Sequence, residues 1–305
     1  MSVTFCGLEL AHRVINGSGT FDVIAAREAF GAALEAEFPF AAYVSKTITH
    51  EPRAGNAPPR LWETPAGLIN SIGLPNKGLE GYLAEDLPRL TGLRARAPRH
   101  GGADAAERTW PVPVITNVMG STAEEFATLV EGCADREEIA ALELNVSCPN
   151  VRTGLDIGAD PGQLERVVAH LRPRTRKPLI VKLTPNTADV AACAEAAQAG
   201  GADAVSLINT LRAMALARPA AGGHGSAWLG GGTGGLSGPA VRAVALAQVA
   251  AVAGRVTIPV IGMGGVQSIG DARDMIDAGA ALVAIGTATF RDPGAAAQIA
   301  HGLAE

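Results

Sequence analysis

Apolar runs of the length of a buried strand recur eight times along the chain, at 13–16, 41–46, 112–117, 141–145, 179–182, 204–209, 258–262 and 282–286. Alanine-rich stretches of helical character lie between them, at 123–130, 161–171, 189–199, 239–252 and 269–278. Runs that stay apolar at successive positions predict strands covered on both faces, as in a parallel sheet flanked by helices. Eight of them alternating with helices predict a closed (β/α)8 barrel, an α/β fold whose active site belongs at the carboxyl-terminal rim of the strands. The other architecture compatible with this alternation is an open doubly wound sheet, with its ligand at a topological switch point.

The ends of the runs carry the second signal. Six terminate in a polar side chain, namely Asn16, Lys46, Asn117, Asn145, Lys182 and Asn209, and the last two run into glycines. Asparagine is depleted in strands, and an unpaired ammonium is costly to desolvate. Strand ends of this composition therefore predict side chains aimed into one site. The most informative is the stretch from Asn145 to Asn150, reading Asn-Val-Ser-Cys-Pro-Asn, which sets a thiol between two carboxamides.

Three stretches resist assignment to helix or strand. Residues 48–78 carry five prolines and are far longer than an ordinary βα connection, which predicts a functional rim loop. Residues 91–111 precede a strand, so this insertion belongs at the opposite face and reads as mobile, without a catalytic role. Residues 220–235 are glycine-rich and read as flexible, leading into a tight turn at 234–239 that opens a helix.

A chain of 305 residues, 48% hydrophobic and 18% charged, is long enough for a large core and is read as one barrel domain. A net charge of −5 argues against a nucleic-acid surface, which normally carries a basic patch. Four cysteines, Cys6, Cys133, Cys148 and Cys193, lie far apart with no CxxC pair, so neither a zinc nor an iron–sulfur site is expected. A reduced, cytoplasmic chain without membrane anchor is the natural reading.

Glycines after the seventh and eighth runs, Gly262-Met263-Gly264-Gly265 and Gly286-Thr287, are phosphate-binding candidates, because glycine lets backbone N–H groups approach an anion closely. Lys46 and Lys182 are expected to face an anion or an electron-rich ring, such as a flavin that gains negative charge on reduction. The Cys148 thiol suits a base near neutrality; covalent catalysis is the competing use, but no Cys-His-Asn pattern supports it.

Several segments together resemble one family, the class 1 dihydroorotate dehydrogenases. They are Asn16-Gly17-Ser18-Gly19, Ser45-Lys46-Thr47, 70–76, 145–150, 181–186, Ile208-Asn209-Thr210, 234–239, 262–265 and Gly286-Thr287. The resemblance spans nearly the whole chain. It implies FMN as cofactor, with contacts from Ser18, Lys46, Thr47, Asn117, Asn145, Lys182, Ile208, Gly238, Gly264, Gly265, Gly286 and Thr287. It implies substrate contacts from Lys46, Asn70, Ile72, Gly73, Leu74, Asn145, Asn150, Asn209 and Thr210. Cys148 falls on the family's base position, with Lys46 beside the reaction. The implied chemistry removes the C5 proton of dihydroorotate as a hydride leaves C6 for flavin N5. Residues 151–162, with Gly154, Gly158 and Gly162, are expected to form a lid.

Class 1A enzymes are homodimers that reduce fumarate, and class 1B enzymes pair with an FAD and 2Fe–2S subunit that reduces NAD. The segments at 150–154, 181–186, 209–211, 234–239 and 262–265 look more like class 1B, which implies a homodimer together with that partner. The chain departs from the family at 212–232, where two arginines and a glycine-rich run replace the usual connection. Other readings are a related enzyme acting on uracil-type rings, a non-enzymatic FMN-binding scaffold and a phosphate-binding aldolase barrel.

Overall fold

Residues 2–96, 109–146, 154–218 and 224–304 are described by a computed structural model. The eight apolar runs form eight strands: β1 (Val14–Asn16), β2 (Tyr43–Val44), β3 (Val114–Val118), β4 (Ile139–Asn145), β5 (Leu179–Lys182), β6 (Ala204–Leu207), β7 (Val260–Met263) and β8 (Leu282–Ile285). All but β4 are buried at every position, and β4 at all but Ala140. Burial on both faces is what the unbroken apolar pattern required.

The strands pair in parallel in the order β1-β8-β7-β6-β5-β4-β3-β2, with β1 and β2 as the two end strands. These ends meet through Ala41 N–H donating to Val14 O at 2.9 Å and through the carboxamide of Asn16, which closes the (β/α)8 barrel. The open doubly wound alternative is thereby excluded.

Helices surround the sheet: α1 (Val23–Phe30), α2 (Ala123–Ala134), α3 (Pro161–Leu171), α4 (Val190–Ala199), α5 (Arg242–Ala253), α6 (Ile269–Asp277) and α7 (Ala295–Gly302). Their starts are encoded locally. Thr122, Asp160, Asp189 and Ser268 each accept the N–H three residues on, and Ser268 with Asp271 completes a capping box. Each such cap contributes on the order of 1 kcal/mol. The inner faces bury Phe126, Leu129 and Val130 on α2 and Leu164, Val168 and Leu171 on α3, each about 1.5–3 kcal/mol of transfer free energy.

Two hairpins lie toward the amino-terminal ends of the strands. In one, Val3–Phe5 pairs with Leu8–Leu10, and the Cys6 thiol between them donates to Asp203 O just before β6. In the other, Arg94–Arg96 pairs with Thr109–Pro111; Arg94 O accepts from Phe38 N and Leu93 O from Val112 N, ahead of β2 and β3. Residues 97–108, between the strands of this second hairpin, lie outside the described residues.

The carboxyl-terminal rim carries an antiparallel sheet absent from the sequence reading, ordered Leu211–Ala213, Gly234–Ser237, Gly67–Asn70 and Leu61–Thr64. The proline-rich stretch 48–78 therefore contains two strands. Residues 234–237, expected as a turn, form a third, and the turn itself narrows to Gly238, at φ +89°, before α5. A side chain at Gly67 would strike Ser237 O, so its glycine permits the close backbone approach of this sheet.

Candidate functional site

A cavity of about 630 Å³ opens at the carboxyl-terminal rim, within the size range of cofactor sites. Its wall includes Lys46, Asn145, Lys182 and Asn209, four of the six polar strand ends. The register of β4 with β5 sets Asn145 beside Lys182. Lys182 is buried at 6% exposure, and its ammonium makes no hydrogen bond or ion pair among the described residues. An ammonium left facing a cavity in this way suits an anionic or electron-rich ligand.

Lys46 also lines the cavity and, unlike Lys182, is exposed. Its pKa is lowered, mainly by desolvation; Asp22 opposes that shift and Arg60 adds to it. Polar bonds continue along the wall. Asn145 Nδ2 donates to Thr47 Oγ1 at 3.2 Å, and Thr47 Oγ1 lies 3.4 Å from Ser18 Oγ, which donates to Ser45 O. Asn209 Nδ2 donates to Asn145 Oδ1 at 3.4 Å, while Asn209 Oδ1 accepts the Thr210 N–H at 2.8 Å. The two carboxamides on the cavity wall are thus orientated by one another.

The rim sheet supplies the opposite wall. Asn70 lines the cavity and donates to Gly235 O at 3.1 Å. Ile72 and Leu74 also line it, and Leu74 holds φ +54°, uncommon for a branched side chain. Asn76 Nδ2 donates to Leu74 O, while its Oδ1 accepts the Thr49 and Gly78 N–H groups, so Asn76 clamps this turn. Gly73 is not on the cavity wall; a Cβ there would collide with Asn56 N, which accounts for its glycine.

Backbone donors gather at the other end. Gly238, Gly264, Gly265, Gly286 and Thr287 line the cavity. The N–H groups of Gly264, Gly265, Gly286 and Thr287 have no backbone partner among the described residues. Gly265, at φ +74°, leaves no room for a Cβ, which would lie 2.7 Å from Arg242 Cβ and 2.8 Å from Gly238 O. Unpaired N–H groups on a glycine-lined wall form an anion cradle.

The sequence matches the family described as dihydroorotate dehydrogenase over residues 1–305. The chain belongs to the dihydroorotate dehydrogenase family. Its relatives include the dihydroorotate dehydrogenase B (NAD(+)) catalytic subunit of Pelobacter propionicus, 42% identical over 99% of this chain and 92% of the relative. The protein of the same name from Desulforudis audaxviator is 43% identical over 99% of this chain and 91% of the relative.

Within this dihydroorotate dehydrogenase fold, two polar strand ends do not reach the cavity wall. Asn16 is fully buried and spends its carboxamide on the barrel seam. Asn117, expected as a cofactor contact, is also fully buried, with its Nδ2 donating to Glu143. Cys148 and Asn150 lie outside the described residues. So does the start of the expected lid, whose remainder holds a helix, Gly154–Ala159, and the first turn of α3. Gly158 is explained by packing, because a Cβ would strike Val146 O.

The reading missed the apolar part of the wall, Leu61, Leu68, Leu236 and Phe290. Leu61 and Phe290 are more than half exposed at the mouth. The signal available was the apolar content of 61–70, obscured by its proline and its glycine. Among the described residues, no helix is long and apolar enough to cross a membrane, and no cluster of His, Cys, Asp or Glu could hold a metal.

Proposed function

We propose that this chain oxidises dihydroorotate to orotate in de novo pyrimidine (UMP) biosynthesis, at the rim cavity and with FMN as cofactor. The observation that carries the reading is the full-length identity to relatives named dihydroorotate dehydrogenase B catalytic subunit. The cavity fits the cofactor: its glycine cradle offers unpaired N–H groups to a phosphate, and Lys182 offers an unpaired ammonium to an electron-rich ring.

In this reading Gly238, Gly264, Gly265, Gly286 and Thr287 hold the phosphate end. Ser18, Lys46, Thr47, Asn145, Lys182 and Ile208 hold the ring. Bound FMN supplies the two-electron acceptor of the reaction. Lys182 and Lys46 favour the reduced, more negative state of the site electrostatically. Asn70, Asn145, Asn150, Asn209 and Thr210, with the loop of Ile72, Gly73 and Leu74, hold the pyrimidine ring. An ill-matched ring would leave these polar groups unpaired, which penalises it. Cys148 is the base that removes the C5 proton, acidified by the neighbouring carbonyl.

The relatives' designation as catalytic subunits supports a separate partner. We assign that partner an FAD and a 2Fe–2S cluster, electron delivery to NAD, and a pairing with a homodimer of this chain. Anaerobic reduction by dihydroorotate followed by an added acceptor tests the assignment. Persistence of the reduced flavin with fumarate or NAD alone supports the partner-dependent reading, whereas rapid reoxidation by fumarate makes the chain a self-sufficient class 1A enzyme.

A further inference from the structure

Of the segments on which the family resemblance rests, 181–186 gives only Lys182 to the cavity wall. The segment ends in Asn186, a half-buried residue of the loop between β5 and α4 that the reaction described above does not use. Its side chain is fully engaged all the same. Nδ2 donates to Thr184 Oγ1 at 3.1 Å and to Thr210 O at 3.1 Å, and Oδ1 accepts the Arg212 N–H at 2.9 Å. A backbone N–H can only donate and a backbone oxygen can only accept, so the partners at 210 and 212 admit a single orientation of this carboxamide.

These bonds lie at the junction between the barrel and the rim sheet. The pairing of β5 with β6 runs past the strands themselves, as Leu183 N–H donates to Ser206 O and Asn209 N–H to Leu183 O. Further along, Leu211–Ala213 is an end strand of the rim sheet, paired on one side with Gly234–Leu236. Every second residue of a strand turns its polar groups to the same edge, so Thr210 O and Arg212 N–H share the edge that Asn186 covers. The loop that carries Asn186 is itself anchored. Thr184 is fully buried and accepts the Asn186 N–H at 3.1 Å, and Gln248 Nε2 on α5 donates to Pro185 O at 3.3 Å.

What Asn186 holds is the cavity wall. Asn209 and Thr210 both line the cavity. The Thr210 N–H donates to Asn209 Oδ1 at 2.8 Å and Thr210 O accepts from Asn186 Nδ2, so two carboxamides fix both polar groups of the Thr210 backbone. The Thr210 side chain is packed against the rim sheet, where a Cβ at Gly235 would strike its hydroxyl.

We propose that Asn186 is a positioning residue for the pyrimidine ring, setting the Asn209–Thr210 backbone, and with it the side chains these two residues present to the cavity, before the ring arrives. The inference rests on the dihydroorotate reading above. Asn186 acts through Thr210 and touches neither flavin nor substrate. Pre-organisation of this kind lowers the ordering cost of binding, so its loss appears in the affinity for the ring and not in the affinity for FMN.

The experiment titrates the FMN-loaded chain with orotate and follows flavin absorbance, with flavin content and melting temperature measured alongside. In Asn186→Ala the orotate Kd is expected to rise ~10-fold, the scale of one good hydrogen bond, while flavin content and melting temperature stay close to wild type. Asn186→Asp still accepts from Arg212 but has no donor for Thr210 O, so it should lose at least as much, and it serves if the alanine variant does not fold. The two positions should also be coupled: adding Asn186→Ala to Thr210→Ala should raise the Kd by less than ~3-fold, because the route through Thr210 is already cut. Wild-type orotate affinity in folded, FMN-loaded Asn186→Ala or Asn186→Asp overturns the proposal, and so does full additivity with Thr210→Ala. Loss of FMN in step with orotate overturns it too, by making Asn186 a general structural residue. An FMN-loaded wild type that does not bind orotate removes the pyrimidine reading itself, a result distinct from these.

Discussion

The carboxamide of Asn16 takes the place of a peptide group beside Val44, with Nδ2 donating to Val44 O at 2.8 Å and Oδ1 accepting from Val44 N at 2.8 Å. One side chain thereby satisfies both polar groups of a buried residue at the seam between the barrel's end strands. Asn16→Ala leaves both groups unpaired and is expected to destabilise the protein by about 2–5 kcal/mol. Chemical denaturation checks this as a fall in the midpoint at constant m-value.

Lys182 is a buried cation without a partner among the described residues, facing the cavity. Lys182→Met removes a desolvated charge from the empty site, so the apoprotein should melt no lower than the wild type. Flavin reduction by dihydroorotate should nevertheless slow by ~100-fold or more, the scale of losing one fixed electrostatic group. Thermal melts of the apoprotein and stopped-flow absorbance separate the two effects.

Gly265→Ala places a Cβ against Arg242 and Gly238 in a backbone conformation that disfavours it. The expected outcome is a protein that folds but retains little FMN after gel filtration, checked by the ratio of flavin to protein absorbance. Full retention would remove the phosphate end from this cradle.

His12, 6% exposed, accepts the Val14 N–H on Nδ1, and its pKa is lowered from 6.5 to about 4 by burial, with His301 adding to the effect. Between those values the unfolded chain binds more protons than the folded one. Stability is therefore full above about pH 6.5 and falls as pH drops toward 4, by on the order of 3 kcal/mol. His12→Gln keeps an acceptor for Val14 without the titration, so its denaturation midpoint should vary less over this range.

The barrel was legible because its strands are buried on both faces, which leaves unbroken apolar runs such as 179–182, found as Leu179–Lys182. The rim sheet was not, because its strands are short and built on glycines. Gly67 and Gly234 allow backbones to approach where side chains would collide with Ser237 O and Asn70 O, and glycine erases the alternation that marks a strand. Polar strand ends located the site as a group but not residue by residue. Asn145 and Asn209 face the cavity, whereas Asn16 meets the neighbouring backbone and Asn117 a buried carboxylate, a distinction set by tertiary partners.

The measurement that bears most directly on the account is anaerobic titration of the FMN-loaded chain with dihydroorotate, and separately with dihydrouracil, recording flavin absorbance. The account predicts complete bleaching by dihydroorotate and little by dihydrouracil. Bound flavin that stays oxidised with dihydroorotate, or is bleached by dihydrouracil instead, would contradict it.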